Sequence, residues 1–418
     1  MSAGMSVTVI TEPPGRHVRA EPASGAAPSQ LRTLWDGPVG FCLRVYVVFR
    51  LALFALALVV AGLLPHPNNV SVPGWEAPVP AGWHTAVTGW ETGDALWFLR
   101  IGSQGYAQDD GSGAFFPFYP LLIRVVGTLT GGHWLLAAYL VSNIALIVAL
   151  VLLYRLTARE FSDSMARKAV LYLCAFPTGF FLFAPYSESL FLALAIGSLY
   201  AARTSRWGLA ALLGLFAALT RSPGVLIAAP LAIEALLQAR QARAGARLRL
   251  LAVGAVAALA PVAGLVGYLG FWQLQIGDWR HPIDLQRTGW GKERAWPWET
   301  LWAGAKSALT TPGVNPGAYF LMDAVVVAIV LLAGLWVLRR TRLTWSVYAW
   351  TAVAFPLFLM WPGRPLLSLP RIYLVLFPTV WALARLAERF KAHDAVLGVS
   401  VVTMGVLGAM FVSSNPFF

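Results

Sequence analysis

Long apolar stretches recur along the whole chain and alternate with short polar segments. About eleven of them approach the roughly 20 residues that an α-helix needs to cross the hydrocarbon core of a bilayer. The predicted spans are residues 41–63, 133–154, 169–185, 188–202, 207–220, 223–238, 250–272, 317–337, 343–361, 370–387 and 395–412. This pattern predicts an all-α, polytopic membrane protein with about 11 transmembrane helices.

Two long segments between the spans are predicted to lie on the outer side of the membrane, and residues 64–114 of the first are too polar to cross it. Residues 64–132 form a long first outer loop, and residues 273–316 form a second outer loop. From Asp94 to Gly102 the apolar positions recur at helical spacing. We expect a short amphipathic helix there, lying along the membrane interface.

The following stretch, residues 115–131, is apolar but contains Arg124, Pro117 and Pro120. Proline resists a straight helix because it lacks an amide hydrogen and its ring clashes with the preceding turn. A re-entrant or surface-lying element is therefore predicted here rather than a span. Without a crossing at this point, Asp94 lies on the outer side.

Composition and charge support the membrane class. Hydrophobic residues make up 58% of the chain and charged residues 12%, which is about half the charged fraction of a soluble domain. The net charge is +12, but most of the arginines and lysines fall on the predicted inner segments. This asymmetry follows the positive-inside rule and sets the orientation, so it does not indicate a nucleic-acid partner.

The ends of the chain are predicted to lie outside the membrane domain. Residues 1–40 are interpreted as a disordered cytoplasmic tail without the apolar core of a signal peptide, and residues 413–418 as a short C-terminal tail. Residues 41–412 then form one transmembrane domain. Cys42 and Cys174 fall in apolar spans without metal-ligand spacing, and the histidines are scattered, so no metal site is predicted.

Polar residues that could carry chemistry collect on the predicted outer side. They are Asp94, Trp97, Tyr106, Asp109 and Asp110 in the first outer loop, then Tyr186 with Glu188, Arg221, and finally Arg364 with Arg371. Arginine binds phosphate oxygens through its planar fork, and an ionised aspartate can accept a proton from an attacking hydroxyl. Carboxylates beside arginines at membrane depth therefore fit a lipid-phosphate substrate.

Each of these residues also has a structural interpretation. Asp94 could cap a helix, and Glu188 could stabilise the first turn of one. Arg221 would pair with Glu188, and Arg371 could extend to the interface at the edge of a span. Asp109 could belong to a solvated turn.

An ordered set of short motifs runs from about residue 40 to 240 and returns near residue 370. The motifs are Asp94-Ala95-Leu96-Trp97-Phe98-Leu99, Gly105-Tyr106, Ala114-Phe115-Phe116-Pro117, Ser142-Asn143, Tyr186-Ser187-Glu188-Ser189-Leu190-Phe191, Thr220-Arg221 and Leu369-Pro370-Arg371-Ile372-Tyr373. Together they resemble the PIG-V mannosyltransferases, polytopic enzymes of the glycosyltransferase C (GT-C) class that use a polyprenyl-phosphate sugar. Two positions depart from that family: Gly93 stands where tryptophan is usual, and Asp109 and Asp110 stand where a glutamate is common.

The resemblance implies a GT-C-like bundle and an inverting transfer of mannose from polyprenyl-phosphate mannose to a glycan or glycolipid acceptor at the outer face. Asp94 would deprotonate the acceptor hydroxyl. The residues expected to bind the substrates are Trp97, Tyr106, Asp109, Tyr186, Glu188, Arg221 and Arg371. Arginines can stabilise the departing lipid phosphate, so neither a metal nor another cofactor is expected.

Two other functional classes stay open at the level of sequence. A lipid-linked sugar flippase or transporter would need a polar path across the bilayer. The ionisable residues within spans are Arg44, Arg50, Glu234 and Asp323, which lie near opposite ends of different spans. A non-catalytic subunit would tolerate the loss of the Asp94 carboxylate. The tail rich in alanine and arginine favours a bacterial plasma membrane, and the endoplasmic reticulum stays possible because the resembled family also occurs there.

Overall fold

The computed structural model describes residues 37–63, 70–78, 82–311 and 317–413, and helices make up most of them. The α-helices are α1 (Pro38–Leu63), α2 (Thr85–Thr88), α3 (Asp94–Gln104), α4 (Phe118–Leu129), α5 (Trp134–Glu160), α6 (Asp163–Cys174), α7 (Glu188–Arg203), α8 (Trp207–Thr220), α9 (Ala228–Gln241), α10 (Ala244–Ile276), α11 (His281–Thr288), α12 (Pro297–Thr310), α13 (Gly317–Arg340), α14 (Leu343–Ala354), α15 (Leu369–Tyr373), α16 (Phe377–Arg389) and α17 (His393–Val412). Most of the two predicted tails, residues 1–36 and 414–418, lies outside the described residues. The first helix begins at Pro38, inside the tail predicted to end at residue 40.

Short 3₁₀ helices, one small hairpin and one two-stranded ladder between distant segments connect the α-helices. The 3₁₀ helices are Gly82–His84, Gly111–Ala114, Gly179–Leu182, Ser222–Ile227 and Phe355–Phe358. The strands pair antiparallel, β1 (Ser71–Val72) with β2 (Trp75–Glu76) and β3 (Glu293–Arg294) with β4 (Leu359–Met360). The second ladder joins the second outer loop to the chain before α15, although these elements lie far apart in sequence.

Six helices among the described residues are long and apolar enough to cross a membrane. They are Pro38–Leu63, Trp134–Glu160, Ser222–Gln241, Ala244–Ile276, Ala318–Arg340 and His393–Val412. The apolar helices α4 and α8 are shorter, and so is Leu343–Phe358. A helix of 12 residues such as α4 extends only about 18 Å, too little to cross the hydrocarbon core unaided. The structure therefore supports a multi-pass helical membrane protein, and the number of about 11 spans stays a prediction.

Two predicted spans are interrupted in the structure. Within residues 169–185, α6 ends at Cys174 and the chain continues through Pro177 into a 3₁₀ helix. Within residues 370–387, α15 ends and α16 begins after a break, with Pro378 in the first turn of α16. Proline explains where both helices stop. The broken stretches are apolar because protein surrounds them, and hydropathy alone does not distinguish that environment from lipid.

The centre of the fold is α7, which is buried on every side along nearly its whole length. It packs between α5 and α8, and α10 packs against the far side of α8. A helix that is apolar all round is stable only when other protein or lipid covers it. This arrangement fixes the first residue of α7, Glu188, in the protein interior.

The predicted amphipathic helix forms as α3 and is largely covered by protein, while its place along the membrane interface stays a prediction. Ala95, Leu96, Leu99 and Ile101 are all buried, and α3 packs against α4, α5 and the β1–β2 hairpin. The β1–β2 hairpin covers the polar side of α3, where Arg100 donates to the carbonyl of Pro73 and Gln104 to the carbonyl of Gly74. As a result, Asp94 starts a helix that is anchored inside the protein.

Candidate active site

Asp94 owes its position to the residue before it. Gly93 has φ +59°, a conformation that favours glycine, and a Cβ atom there would lie 2.8 Å from the Tyr186 hydroxyl. This explains the departure from the family pattern at Gly93, since no larger side chain fits in this backbone conformation. Asp94 then opens α3, and its side chain keeps 31% of its surface exposed.

Four charged side chains meet here and form what we name the Asp94 cluster: Asp94, Glu188, Arg221 and Arg371. Arg371 donates from Nη1 to Asp94 Oδ2 and from Nε to Glu188 Oε1, both at 2.5 Å. Arg221 donates from Nη1 to the same Glu188 oxygen, also at 2.5 Å. The structure thus brings together one acidic and one basic pair from four distant parts of the sequence.

The hydrogen bonding of the Asp94 cluster is incomplete. Glu188 Oε2 and Arg371 Nη2 are buried and have no hydrogen-bond partner among the described residues. Asp94 Oδ1 likewise accepts no hydrogen bond from the described part of the chain, but it belongs to a partly exposed side chain. Buried polar groups are nearly always paired, so these atoms mark the place where a ligand would be recognised.

The chain around Arg371 is shaped to hold the guanidinium in place. Ser368 has φ +66° and turns the backbone into α15, while Thr178 donates a hydrogen bond of 2.9 Å to the carbonyl of Pro370. The guanidinium lies over the rings of Phe181 and Tyr186, at 4.8 and 4.6 Å from their centroids. Aromatic faces stabilise a cation at this distance, which fixes Arg371 without using its remaining N–H groups.

Tyr186 is fully enclosed and supports the loop before Asp94. Its hydroxyl donates to the carbonyl of Thr92 at 2.5 Å, and its own carbonyl accepts from Ser142 at 2.8 Å. Because both groups are satisfied within the protein, the geometry favours a positioning role. The substrate-binding role predicted for Tyr186 stays a prediction.

Tyr106 has a comparable environment. Its hydroxyl donates to the carbonyl of Phe115 at 2.7 Å, and its ring contacts Tyr268 and Trp272. Tyr268 donates to the same carbonyl at 2.8 Å. These contacts tie the turn after α3 to α10, and the predicted contact of Tyr106 with a substrate stays untested.

Trp97 and Asp109 lie together in an open cleft beside the Asp94 cluster. The cleft has a volume of about 680 Å³, and the second outer loop closes it on one side with Thr288 and Trp290. The neighbouring Asp110 forms an ion pair of 2.7 Å with Arg100 and so belongs to the scaffold of the turn. We refer to this feature as the tryptophan cleft, lined by Trp97, Gln108, Asp109, Gly111, Thr288 and Trp290.

Lys292 is a candidate that sequence reasoning missed. Its ammonium group donates to Gln286 at 2.8 Å and lies 5.6 Å from the ring centroid of Trp361. The adjacent residue, Glu293, pairs with Met360 in the β3–β4 ladder, which holds Lys292 close to the site. One signal was available in the sequence: a lysine flanked by glycine and glutamate on an outer loop departs from the positive-inside trend.

The charges of the Asp94 cluster act on Lys292. Burial lowers the pKa of the Lys292 ammonium; the positive charges of Arg371 and Arg221 lower it further, and the negative charge of Asp94 opposes them. With Lys292 included, three cations face two carboxylates. The site therefore has an excess of positive charge suited to an anion.

Arg364 does not join Arg371 at the site, contrary to the expectation that the outer clusters converge. It forms a two-pronged ion pair with Asp323, with distances of 2.7 and 3.0 Å. Glu234, a second ionisable residue within a span, is paired with Arg342 at 2.9 Å. Among the described residues, no group of three histidines, cysteines or carboxylates is arranged to hold a metal ion.

Sequence comparison identifies a family. The model of a family described as mannosyltransferase (PIG-V) matches residues 42–254 of this chain, about half of its length. No curated protein matches the chain by sequence. The matched region contains Asp94, Glu188 and Arg221, whereas Lys292 and Arg371 follow it.

Comparison of folds finds solved structures at low similarity. ArnT from Cupriavidus metallidurans bound to undecaprenyl phosphate is 15% identical, with a TM-score of 0.47, and the match covers 84% of this chain and 60% of ArnT. The Archaeoglobus fulgidus oligosaccharyltransferase in complex with Zn and sulfate is 14% identical, with a TM-score of 0.43, and the match covers 88% of this chain and 53% of that one. This chain therefore corresponds to less than two thirds of the length of either protein.

Proposed function

The chain belongs to the PIG-V mannosyltransferase family, and from this premise we propose that it transfers mannose from a polyprenyl-phosphate mannose to a glycan or glycolipid acceptor. The transfer takes place at the outer face of the membrane, inverts the anomeric carbon and uses Asp94 as general base. One observation carries the proposal: Arg371 holds one oxygen of Asp94, while the other oxygen is unpaired on a partly exposed side chain. We propose a bacterial plasma membrane as the location.

In the proposed reaction, the acceptor hydroxyl donates its proton to Asp94 Oδ1 while its oxygen attacks the anomeric carbon of the donor. The bond between that carbon and the phosphate oxygen breaks, and its electron pair leaves with the lipid phosphate. A β-linked donor thus gives an α-mannoside. The hydrogen bond from Arg371 holds the carboxylate in one orientation, which a base requires before a proton transfer can be efficient.

The cations of the site support the departure of the lipid phosphate. Arg371 Nη2 is buried and unpaired among the described residues, Arg221 lies on the other side of Glu188, and Lys292 approaches from the second outer loop. Donors fixed where negative charge develops stabilise a transition state, since they need no rearrangement during the reaction. The two carboxylates and three cations together carry a net positive charge, which favours binding of the negatively charged phosphate.

The same structure gives little support to a transporter. The buried carboxylates of Glu234 and Asp323 are held by Arg342 and Arg364 in ion pairs of 2.9 and 2.7 Å. A polar path across the bilayer needs groups that can exchange partners, and these groups are already committed to arginines. The partly paired groups collect instead around Asp94.

Transfer of radiolabelled mannose from polyprenyl-phosphate mannose tests the proposal. Purified wild type, Asp94→Asn and the control Asp284→Asn, an exposed carboxylate of the second outer loop, are incubated with a crude lipid and glycan extract. We expect an α-mannosidase-sensitive product with wild type and Asp284→Asn, and a rate about 10²–10⁴-fold lower with Asp94→Asn because the base is lost. A loss of less than about tenfold in folded Asp94→Asn would remove Asp94 from this role.

A further inference from the structure

The tryptophan cleft has a lining that the proposed transfer to Asp94 does not yet use. Trp97 and Trp290 face each other with their ring centroids 6.0 Å apart and their planes at 51°. Gly111 forms the floor, where an added Cβ would lie 2.7 Å from the Trp290 ring and 3.1 Å from the Trp97 ring. Both indole rings therefore pack against the backbone of Gly111, and a side chain at this position would displace them.

The polar groups of the cleft are available to a ligand. The side chains of Gln108 and Asp109 are exposed and make no hydrogen bond within the described part of the chain. The indole N–H groups of Trp97 and Trp290 also lack hydrogen-bond partners among the described residues. The cleft thus offers two partly exposed indole rings with their N–H groups, one amide and one carboxylate. A sugar, which has apolar C–H faces ringed by hydroxyl groups, matches this combination.

The cleft is connected through the chain both to the proposed base, Asp94, and to Lys292. Trp97 follows Asp94 by one turn of α3, so the cleft leads to the proposed base along the same helix. Trp290 is separated by only one residue from Lys292, which faces the cations of the Asp94 cluster. Residues 290–292 of the second outer loop therefore contribute both to the lining of the cleft and to the charges that act on the Asp94 cluster.

Resting on the proposed function, we propose that the tryptophan cleft binds the sugar acceptor, a neutral and hydroxyl-rich glycan. Trp290 and Trp97 pack against a sugar ring, and Asp109 and Gln108 hydrogen-bond to its hydroxyl groups. The volume of about 680 Å³ lies in the usual range for small-ligand sites. The donor phosphate binds separately, at Arg371 and Lys292.

Steady-state kinetics separate the two substrates. Trp290→Ala and Asp109→Asn are expected to raise the acceptor concentration needed for half-maximal rate about tenfold, because each removes contacts to the sugar. The KM for polyprenyl-phosphate mannose should stay within about twofold of wild type. Trp302→Ala, which removes an exposed tryptophan of the same outer loop, serves as the control. Unchanged acceptor dependence, or a change confined to the donor KM, would overturn the proposal.

A binding measurement is independent of turnover. Both native cysteines are buried, so a cysteine introduced at exposed Thr288 can be labelled selectively with a maleimide. Labelling of Thr288→Cys is measured with the crude glycan extract, with the same extract after periodate oxidation of its sugars, and with polyprenyl phosphate. Lys306→Cys, exposed elsewhere in the loop, is the control.

The labelling outcomes test the sugar site separately from the proposed mannose transfer. A sugar site is supported if the intact extract slows labelling of Thr288→Cys, while the oxidised extract and polyprenyl phosphate do not, and if labelling of Lys306→Cys is unchanged. This result would stand even if no mannose transfer were detected. In that case the proposed function would fail while the site stood. No protection, or equal protection by oxidised extract or by polyprenyl phosphate, would reject a sugar site.

Discussion

Two glutamates at opposite ends of the bundle are both completely buried, yet they are paired in different ways. Glu234 receives four hydrogen bonds, two on each oxygen, from Arg342, Thr344 and Gln238. Glu188 receives both of its side-chain hydrogen bonds, from Arg221 and Arg371, on one oxygen, while the other oxygen has no partner among the described residues. We name the first group, Glu234 with Gln238, Arg342 and Thr344, the Glu234 cluster.

This difference separates a structural ion pair from a site that is ready for a ligand. The Glu234 cluster has one charge of each sign and every carboxylate oxygen satisfied, which is what a buried pair needs in order to avoid a large desolvation cost. The Asp94 cluster keeps unpaired atoms and, with Lys292, an excess of positive charge. Burial of charge by itself therefore says little about function, and the incomplete pairing is the informative feature.

Removing one arginine from each cluster should give the largest contrast. Arg371→Met is expected to lower transfer by about 10²–10³-fold, because it removes a donor to the leaving phosphate and the contact that orients Asp94. Arg342→Met should leave the kcat and the donor KM of the folded fraction within about threefold. Both variants break a buried pair, and each should lose roughly 3–5 kcal/mol of stability.

The measurement combines kinetics per folded enzyme with thermal unfolding in detergent. If Arg342→Met lowered transfer in the folded fraction as much as Arg371→Met does, the distinction between the clusters would be lost.

Lys292 tests whether the second outer loop completes the anion site. Lys292→Met should raise the KM for polyprenyl-phosphate mannose about tenfold, the value of one charge-assisted hydrogen bond, whereas exposed Lys306→Met should have no effect. Since burial and the neighbouring arginines lower the pKa of Lys292, its charge is lost at a lower alkaline pH than usual, and kcat/KM should fall there.

Lys292→Arg should move that alkaline decline to higher pH while keeping the donor KM near the wild-type value. An unchanged pH profile in Lys292→Arg would mean that another group causes the decline.

Exchanging each glutamate for glutamine should sharpen the comparison further. Glu188→Gln removes a negative charge beside three cations, so polyprenyl phosphate should bind about threefold to tenfold more tightly. Glu234→Gln should leave this affinity unchanged, since its partners lie in the other cluster. Titration of both variants with polyprenyl phosphate measures the effect. Weaker binding to folded Glu188→Gln would show that this carboxylate organises the site rather than balancing its charge.

A third buried carboxylate, Glu91, is expected to affect stability and not transfer. Glu91 has no basic partner in the described part of the chain and accepts one hydrogen bond of 2.8 Å from the Trp75 indole. Burial raises its pKa to about 7, and the hydrogen bond opposes this only partly. The folded state then binds the proton more tightly than the unfolded state, so the free energy of unfolding should fall by about 3 kcal/mol as the pH rises from about 4.5 to 7.

The melting temperature of wild type should decrease over this range, and Glu91→Gln should abolish that part of the decrease. Glu76 is an exposed carboxylate in the β1–β2 hairpin that contains Trp75, and Glu76→Gln should behave like wild type. An identical pH dependence in Glu91→Gln and wild type would assign the effect to other groups.

Sequence patterns predicted the class of fold and the start of α3, but they did not show what surrounds α3 or the stretch around Pro177. Helix α3 begins at Asp94 as expected, yet it is buried, because periodicity reports which residues share a face and not what covers that face. The stretch around Pro177 was predicted as one span for a similar reason: hydropathy does not separate burial in lipid from burial in protein.

At the site, the motifs brought attention to Asp94, Glu188, Arg221 and Arg371, and the structure places all four together. Their roles in catalysis and binding stay predictions. Lys292 departs from the positive-inside trend, but this signal does not show where it lies, since its position depends on the β3–β4 ladder, a contact between segments about 65 residues apart. Long-range pairing of this kind leaves no local pattern in the sequence.

A structure of Asp94→Asn bound to polyprenyl-phosphate mannose, determined by electron cryo-microscopy, tests the central claim most directly. The variant should bind the donor without consuming it. We predict that the phosphate lies within hydrogen-bond distance of Arg371 Nη2 and Lys292, with the anomeric carbon between residue 94 and the tryptophan cleft. A phosphate bound away from the Asp94 cluster, with Arg371 Nη2 still unpaired, would contradict the account.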